Sequence, residues 1–567
     1  MISTSDSSPE ESRLPTLLPQ LPSGGAPNNL APSNRKEKKR TPYRASNLTD
    51  VVEEHDQESK NIFTIDPVDR NGDDIQQFMD KHFYEEEIVS KKPKKKMLKT
   101  KSYSEEEYID DKPVEPARIA EDLILPNLLD NLRNPHQDKN ETIARMNGLY
   151  RFIVDSNNPK FFSKKRSEII KVLSKYVDTE SPDILIHLVQ ILLSINVRKQ
   201  NLATAYKLVY KVAREAENDQ CFLNSDTLEL IINSVGGACP VNDSEALVYG
   251  YGALKFLTMN SETREKLKKM GILDLVLLHL KLINESKAER KIPDETSHVL
   301  FQLTGVIRNL VNDVSTQNRL VTMSGIPLIC RCLELFITDL DVVCNITRTL
   351  SVLSSNDEAC SVLTENKGFS TTCVNVLNKY PGRQDIVVRL TYCLGNLMAK
   401  CDEARPYFGP DTEGSNTGVN NMDTLLDLLQ SYKRKDVGPK SEISVTMKME
   451  SEDDHGSSGN AEDVVIKIIR VFANMSINAE VGHQVASMPE VYTHLTDILA
   501  TRNIVENEEP ILSTLATLNN LTYYPVDLGT KETQVYLIVN SLLLYLHIVS
   551  LSNTFKIWLP HHYWTST

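Results

Sequence analysis

One helical phase recurs along this chain, and an internal repeat constrains a fold more than any single motif does. Around GVIRNLVNDVSTQNRLVTMSGIPLI, residues 305–329, the apolar residues Leu303, Val306, Ile307, Leu310 and Val311 fall at i, i+3, i+4, i+7 and i+8. That spacing makes one buried stripe on a helix. Asn309 stands beside the stripe, although asparagine is a mediocre helix former. Leu390, Cys393, Leu394, Leu397 and Met398 repeat the phase with Asn396, and Ile468, Val471, Phe472 and Met475 repeat it with Asn474. A weaker copy at Leu518 and Leu521 carries Asn520, and Val352 and Phe256 take the same slot in two further helices. Positions 309, 352 and 396 are 43 and 44 residues apart, and 474 and 520 are 46 apart. The step from 396 to 474 is 78, roughly one repeat plus an insertion, and Phe256 precedes Asn309 by 53. All-helical units at such a period predict a solenoid of stacked repeats.

A second mark follows each of these helices. A short helix leads to a glycine or proline, then to an apolar helix: Gly271, Gly325, Gly368 and Pro489 hold that place. A glycine where two helices meet sharply predicts backbone angles that other residues avoid.

The rest of the chain sorts around the repeats. Residues 1–118 are rich in Ser, Pro, Asn, Lys and Glu and are expected to be disordered, since they have too little apolar surface to offset ordering entropy. They contain basic clusters at 35–40 and 91–96, an acidic run at 104–111 and one short helical pattern at 74–89. The clusters suit a docking or import signal, or simply solvated charge. Helical repeats are expected over 119–410 and again over 461–551. Between them, 411–460 reads as a mostly flexible polar insertion around one helix, MDTLLDLLQSY, and 552–567 as an atypical tail holding both tryptophans.

Composition excludes several functions. With a formal net charge of -14, the chain is a poor general binder of nucleic acid. The first residues lack the basic and apolar regions of a secretory signal. The nine cysteines are scattered without zinc spacing, which predicts reduced thiols in the cytoplasm. The apolar run 535–551 is short for a membrane span and is interrupted by Asn540, Ser541 and His547, so a buried helix is expected there. No nucleotide loop, metalloprotease or serine-nucleophile motif occurs. Gly250 and Gly252 sit in a helical pattern, where small residues permit close helix packing. Asp453 and Asp454 read as solvated charge, and His561 and His562 fall in the tail. Neither enzymatic activity nor a cofactor is expected.

The asparagine phase and the glycine corners resemble the armadillo family, across roughly 119–550 and most firmly from 245 to 525. The resemblance implies an all-α, armadillo-type right-handed α-solenoid of three-helix repeats, whose third helices line a concave groove. In several members an asparagine on that helix clamps the backbone of an extended peptide. Asn309, Asn396, Asn474 and Asn520 match that position, and an amide that both donates and accepts suits such a role. The same asparagines could instead bond the neighbouring repeat. Import receptors of the family carry tryptophan one turn earlier, where this chain has Gly305, Arg348, Tyr392, Arg470 and Ala516. Recognition of import signals is therefore not expected. Arg308, Arg348, Tyr392 and Arg470 point instead to an acidic or phosphorylated protein segment.

The order ILPNLLDNLRNP, GVIRNLVND, VRLTYCLGNLMAK, TLATLNNLTYY resembles one ciliary branch of the family, in a shortened form that stops soon after Tyr524. That resemblance implies a cytoplasmic protein with a place in the cilium or flagellum, a monomer without membrane span or nucleic acid. Its implied role is an adaptor in motile axoneme assembly, with radial spoke components and intraflagellar transport machinery as partners. An armadillo-type regulator or exchange factor for small GTPases is the alternative, and an adhesion or transcription scaffold a third. If the array is shortened, its uncapped apolar end predicts lower solubility than that of a full-length family member.

Overall fold

The structure is a computed structural model that describes residues 116–133, 138–289, 292–366, 368–408, 421–437, 461–502 and 508–525. The basic clusters, the acidic run, the helical pattern at 74–89, the polar stretch 438–460, the apolar run 535–551 and the tail 552–567 lie outside them. Among the described residues there is no strand. They form two compact units, divided between Asn309 and Leu310.

The first unit contains α1 (Pro116–Arg133), α2 (Lys139–Ser156), α3 (Pro159–Leu173), α4 (Pro182–Ser194), α5 (Lys199–Ala213), α6 (Asp219–Leu223), α7 (Thr227–Gly236), α8 (Ser244–Leu257), α9 (Ser261–Lys269), α10 (Ile272–Ala288) and α11 (Thr296–Leu310, whose last residue belongs to the second unit). Here α2 packs on α4, α4 on α5 and α5 on α8. A Cβ on Gly252 of α8 would lie 2.8 Å from the Tyr210 ring of α5, and one on Gly250 would lie 3.1 Å from the Tyr206 ring. The two glycines thus let α8 approach two tyrosines, as a small-residue contact requires.

The second unit contains α12 (Val314–Thr322), α13 (Gly325–Leu335), α14 (Leu340–Leu353), α15 (Asp357–Glu365), α16 (Phe369–Lys379), α17 (Gln384–Lys400), α18 (Asn421–Val437), α19 (Ala461–Met475), α20 (Ala479–Ala486), α21 (Pro489–Thr501) and α22 (Glu508–Leu521). Two 3-10 turns, Asp402–Ala404 and Pro406–Phe408, stand where a first helix would precede α18. The third helices α14, α17, α19 and α22 stack in succession, and the second helices α13, α16, α18 and α21 form a parallel row. The fold is that of an armadillo-type α-solenoid.

The stripe residues explain this stacking. Leu303, Val306, Ile307, Leu310, Val311, Leu390, Cys393, Leu394, Leu397, Met398, Ile468, Val471, Phe472 and Met475 are all 3% exposed or less. Each such side chain contributes about 1.5–3 kcal/mol by leaving water. First helices start on side-chain caps. Asn260, Asp313, Asn356 and Asn478 each accept from a backbone N–H in the first turn of α9, α12, α15 and α20.

The glycine corners differ from expectation. Gly271 has φ 83° and uses the left-handed region. At the next corner Ser324 takes φ 53°, and Gly325 is the first residue of α13. Gly368 has an ordinary φ of -88°, and Pro489 opens α21, where its missing N–H costs nothing. A sharp helix–helix turn needs one left-handed residue, and a short polar side chain can supply it in place of glycine. All nine cysteines are free thiols. Burial pushes Cys330 up to about 12 and raises Cys332, Cys373 and Cys393 as well, so these four are packing residues rather than nucleophiles.

Candidate functional site: the face of the third helices

The four slot asparagines reach backward to the preceding third helix. Asn309 Nδ2 donates to the carbonyl of Lys255, at 2.9 Å, and to Thr258 Oγ1, at 3.1 Å. Asn474 donates to the carbonyl of Gly395, at 2.9 Å, and Asn520 to that of Ala473, at 3.2 Å. Each acceptor is the residue just before the slot of the preceding repeat. Asn396 follows the same route through a relay. Its amide donates to Ser354 Oγ, at 3.0 Å, and Ser354 donates to the carbonyl of Ser351, at 2.9 Å, just before the Val352 slot.

The relay hydroxyl is itself regular. Two residues after a slot, Thr258, Ser354, Ser476 and Thr522 donate to the carbonyls of Lys255, Ser351, Ala473 and Asn519. Helix ends leave carbonyls without intrahelical partners. Here those carbonyls collect a hydroxyl from their own helix and, at Lys255 and Ala473, an amide from the next repeat as well. The asparagines are half-buried, and among the described residues their Oδ1 atoms accept no hydrogen bond. Each amide therefore bridges two repeats through its Nδ2 and leaves its Oδ1 unbonded among the described residues. The sequence marks these residues but not their acceptors, which are a hydroxyl 42 residues away for Asn396 and backbone carbonyls 47 to 79 residues away for the other three.

One turn before the slot lies the charged row of the second unit. Arg348 is exposed on α14, and Tyr392 on α17 is 36% exposed. Arg470 on α19 forms an ion pair with Glu509 of α22 at 2.5 Å. Ala516 completes the row on α22. A further turn back, Lys467 holds its ammonium 5.7 Å from the Tyr392 ring centroid. Burial, and then the nearby Arg470, depress its pKa. Arg389 donates to the carbonyl of Cys344 and to Asp385. Arg389, Lys467 and Glu509 were missed in the sequence, although they share the phase of the slot.

In the first unit the corresponding face is more aromatic. Lys207 lies 5.1 Å over Tyr249, Lys255 lies 4.8 Å over Phe301, and Tyr210 packs edge-on to Tyr249. Arg308, on the last turn of α11, is half-buried and partnered, and Gly305 is buried beside it. Arg308 and Asn309 thus belong to the first unit, and the other six expected site residues to the second.

Among the described residues, no three His, Cys, Asp or Glu side chains are grouped so as to hold a metal ion. No helix among them is long and apolar enough to cross a membrane.

These observations define an armadillo-type helical-repeat fold with a polar row along its third helices. The chain resembles armadillo repeat-containing protein 2. It is 30% identical to that protein of Mus musculus over 402 residues, covering 70% of this chain and 45% of the relative. It is 31% identical to that of Homo sapiens over 418 residues, covering 73% and 47%, and 32% identical to that of Bos taurus over 365 residues, covering 64% and 41%. The chain spans less than half the length of these relatives. No family model matches it. Similar solved structures include an engineered protein, 14% identical with a TM-score of 0.44 over 78% of this chain and 94% of that one. Another comes from work on a phosphorylation switch in the interaction between cadherin and beta-catenin, 11% identical with a TM-score of 0.40 over 78% and 94%.

Proposed function

We propose that the protein is a non-enzymatic scaffold that holds an extended acidic or phosphorylated segment of a partner on its third-helix face. We further propose that it serves as an adaptor in assembly of the motile axoneme. One observation carries the binding reading: Arg348, Tyr392 and Arg470 occupy the same turn of three successive helices, with Asn396 and Asn474 one turn on from the last two. An extended segment crossing those helices would meet positive charge although the chain as a whole is acidic. The axonemal part rests on the resemblance to armadillo repeat-containing protein 2, and gives radial spoke components and the intraflagellar transport machinery as partners. The site of action is then the cytoplasm and the cilium or flagellum, and the chain acts as a monomer.

The test is affinity purification from a ciliated cell, comparing the wild type with Arg348→Ala/Tyr392→Ala. Recovery of radial-spoke or transport proteins, and loss of one set in the variant, supports the proposal. Recovery of small GTPases without axonemal proteins overturns it in favour of an exchange factor.

A further inference from the structure

We infer that the third-helix face of the second unit selects acidic side chains by their spacing, and that Glu509 is its built-in competitor. The inference rests on the binding reading above and adds a rule for what that face accepts.

Helices α14, α17, α19 and α22 are neighbours in succession, and Arg348, Tyr392, Arg470 and Ala516 hold the same position on each. Packed helices lie 8–10 Å apart, so Arg348 and Arg470, two helices apart, are separated by roughly 20 Å. An extended chain rises about 3.3 Å per residue, so that span takes about six residues. Side chains of an extended chain alternate in direction, so two acids facing the same surface stand an even number apart. The ligand this geometry fits is an extended segment with carboxylates at positions i and i+6. The side chain between them, at i+2 or i+4, lies on the Tyr392 ring.

The two cations are not equivalent. Arg348 is exposed and has no acidic partner among the described residues. Arg470 is already paired, with Glu509 in the first turn of the next helix. The Glu509 side chain is 55% exposed, whereas that of Arg470 is 24% exposed. The carboxylate can therefore swing into water while the guanidinium stays in place. An arriving acid finds Arg348 open and must displace Glu509 from Arg470. Glu509 thus stands in for the second acid of the ligand and raises the threshold for weak, singly charged segments.

The experiment uses the full chain and fluorescence anisotropy with labelled proline-rich peptides. One peptide has glutamates six positions apart, a second has them three apart, and a third carries glutamine at both places. The six-spaced peptide is expected to bind about tenfold more tightly than either control, a factor suited to one added charge-assisted contact. Arg348→Ala is expected to erase that preference, and Arg348→Lys to keep part of it. Glu509→Gln is expected to tighten the six-spaced peptide roughly two- to fivefold, the range of one exposed ion pair. Equal binding of the two spacings, or no tightening in Glu509→Gln, overturns the inference and leaves the binding reading standing. Failure of every acidic peptide to bind overturns both.

Discussion

Asn474 on α19 donates its side-chain amide to the main-chain carbonyl of Gly395 on α17, 2.9 Å away and 79 residues earlier. The bond crosses the boundary between two repeats and ties the last turn of α19 to the C-terminal part of α17. A slot asparagine is therefore structural before it is anything else. Asn474→Ala should destabilise the chain by about 1–2 kcal/mol, since a half-buried carbonyl loses one of its donors. Urea denaturation checks this. Asn474→Asp should cost more, because it sets a carboxylate against the Gly395 carbonyl. If Asn474→Ala weakens ligand binding and leaves the urea midpoint unchanged, the bridging role is wrong.

The contact of α5 with α8 gives a second prediction. A methyl on Gly252 would sit 2.8 Å from Tyr210, and one on Gly250 would sit 3.1 Å from Tyr206. Tyr210 is half-buried and can move, whereas Tyr206 is fully buried with its hydroxyl bonded to Ser234. Gly250→Ala should therefore cost about 1–3 kcal/mol, as overpacking does, although its contact is the longer one. Gly252→Ala should cost less. Thermal melts of the two variants decide the order.

What could be read from the sequence followed from periodicity. A stripe buried on one side must repeat at 3.6 residues, so Leu303 to Val311 and its copies announce their helices and their stacking. The carbonyls that accept from Asn309, Asn474 and Asn520 could not be read, because a backbone carbonyl has no letter. Two regular features were legible and went unread. A hydroxyl two residues after the slot recurs at Thr258, Ser354, Ser476 and Thr522, and an Asn or Asp cap four residues after it recurs at Asn260, Asp313, Asn356 and Asn478. Gly325 misled because a glycine beside a corner looks like the corner, and the left-handed residue there is Ser324. The charge pattern showed Arg470, but not that Glu509, 39 residues on, already occupies it.

Tyr524 fastens the last described repeat. Its hydroxyl donates to the carbonyl of Ser476, at 2.5 Å, and its ring covers Gly482, where a Cβ would lie 2.4 Å from it. Gly482→Ala should displace the ring and break that bond, at a cost of about 1–3 kcal/mol. Tyr524→Ala removes the same lock, so the double variant should be no less stable than Tyr524→Ala alone. Chemical denaturation of the two single variants and the double provides the cycle. Additive losses would show that the two residues do not act on each other.

Acid should loosen the first unit through His279. Its ring is buried on α10, and its Nδ1 lies 2.8 Å from the hydroxyl of Tyr251 on α8. Burial lowers its pKa from an ordinary 6.5 to about 4. The unfolded chain therefore binds a proton between those values that the folded chain refuses. The stability from this group is fully present above pH 6.5 and falls as the pH drops through 6.5 towards 4. Each pH unit in that window removes up to about 1.4 kcal/mol. Urea midpoints at pH 7 and pH 5 should thus differ more in the wild type than in His279→Gln, which keeps a polar partner for Tyr251 and cannot titrate. An equal difference in the two proteins would assign the acid sensitivity to other groups.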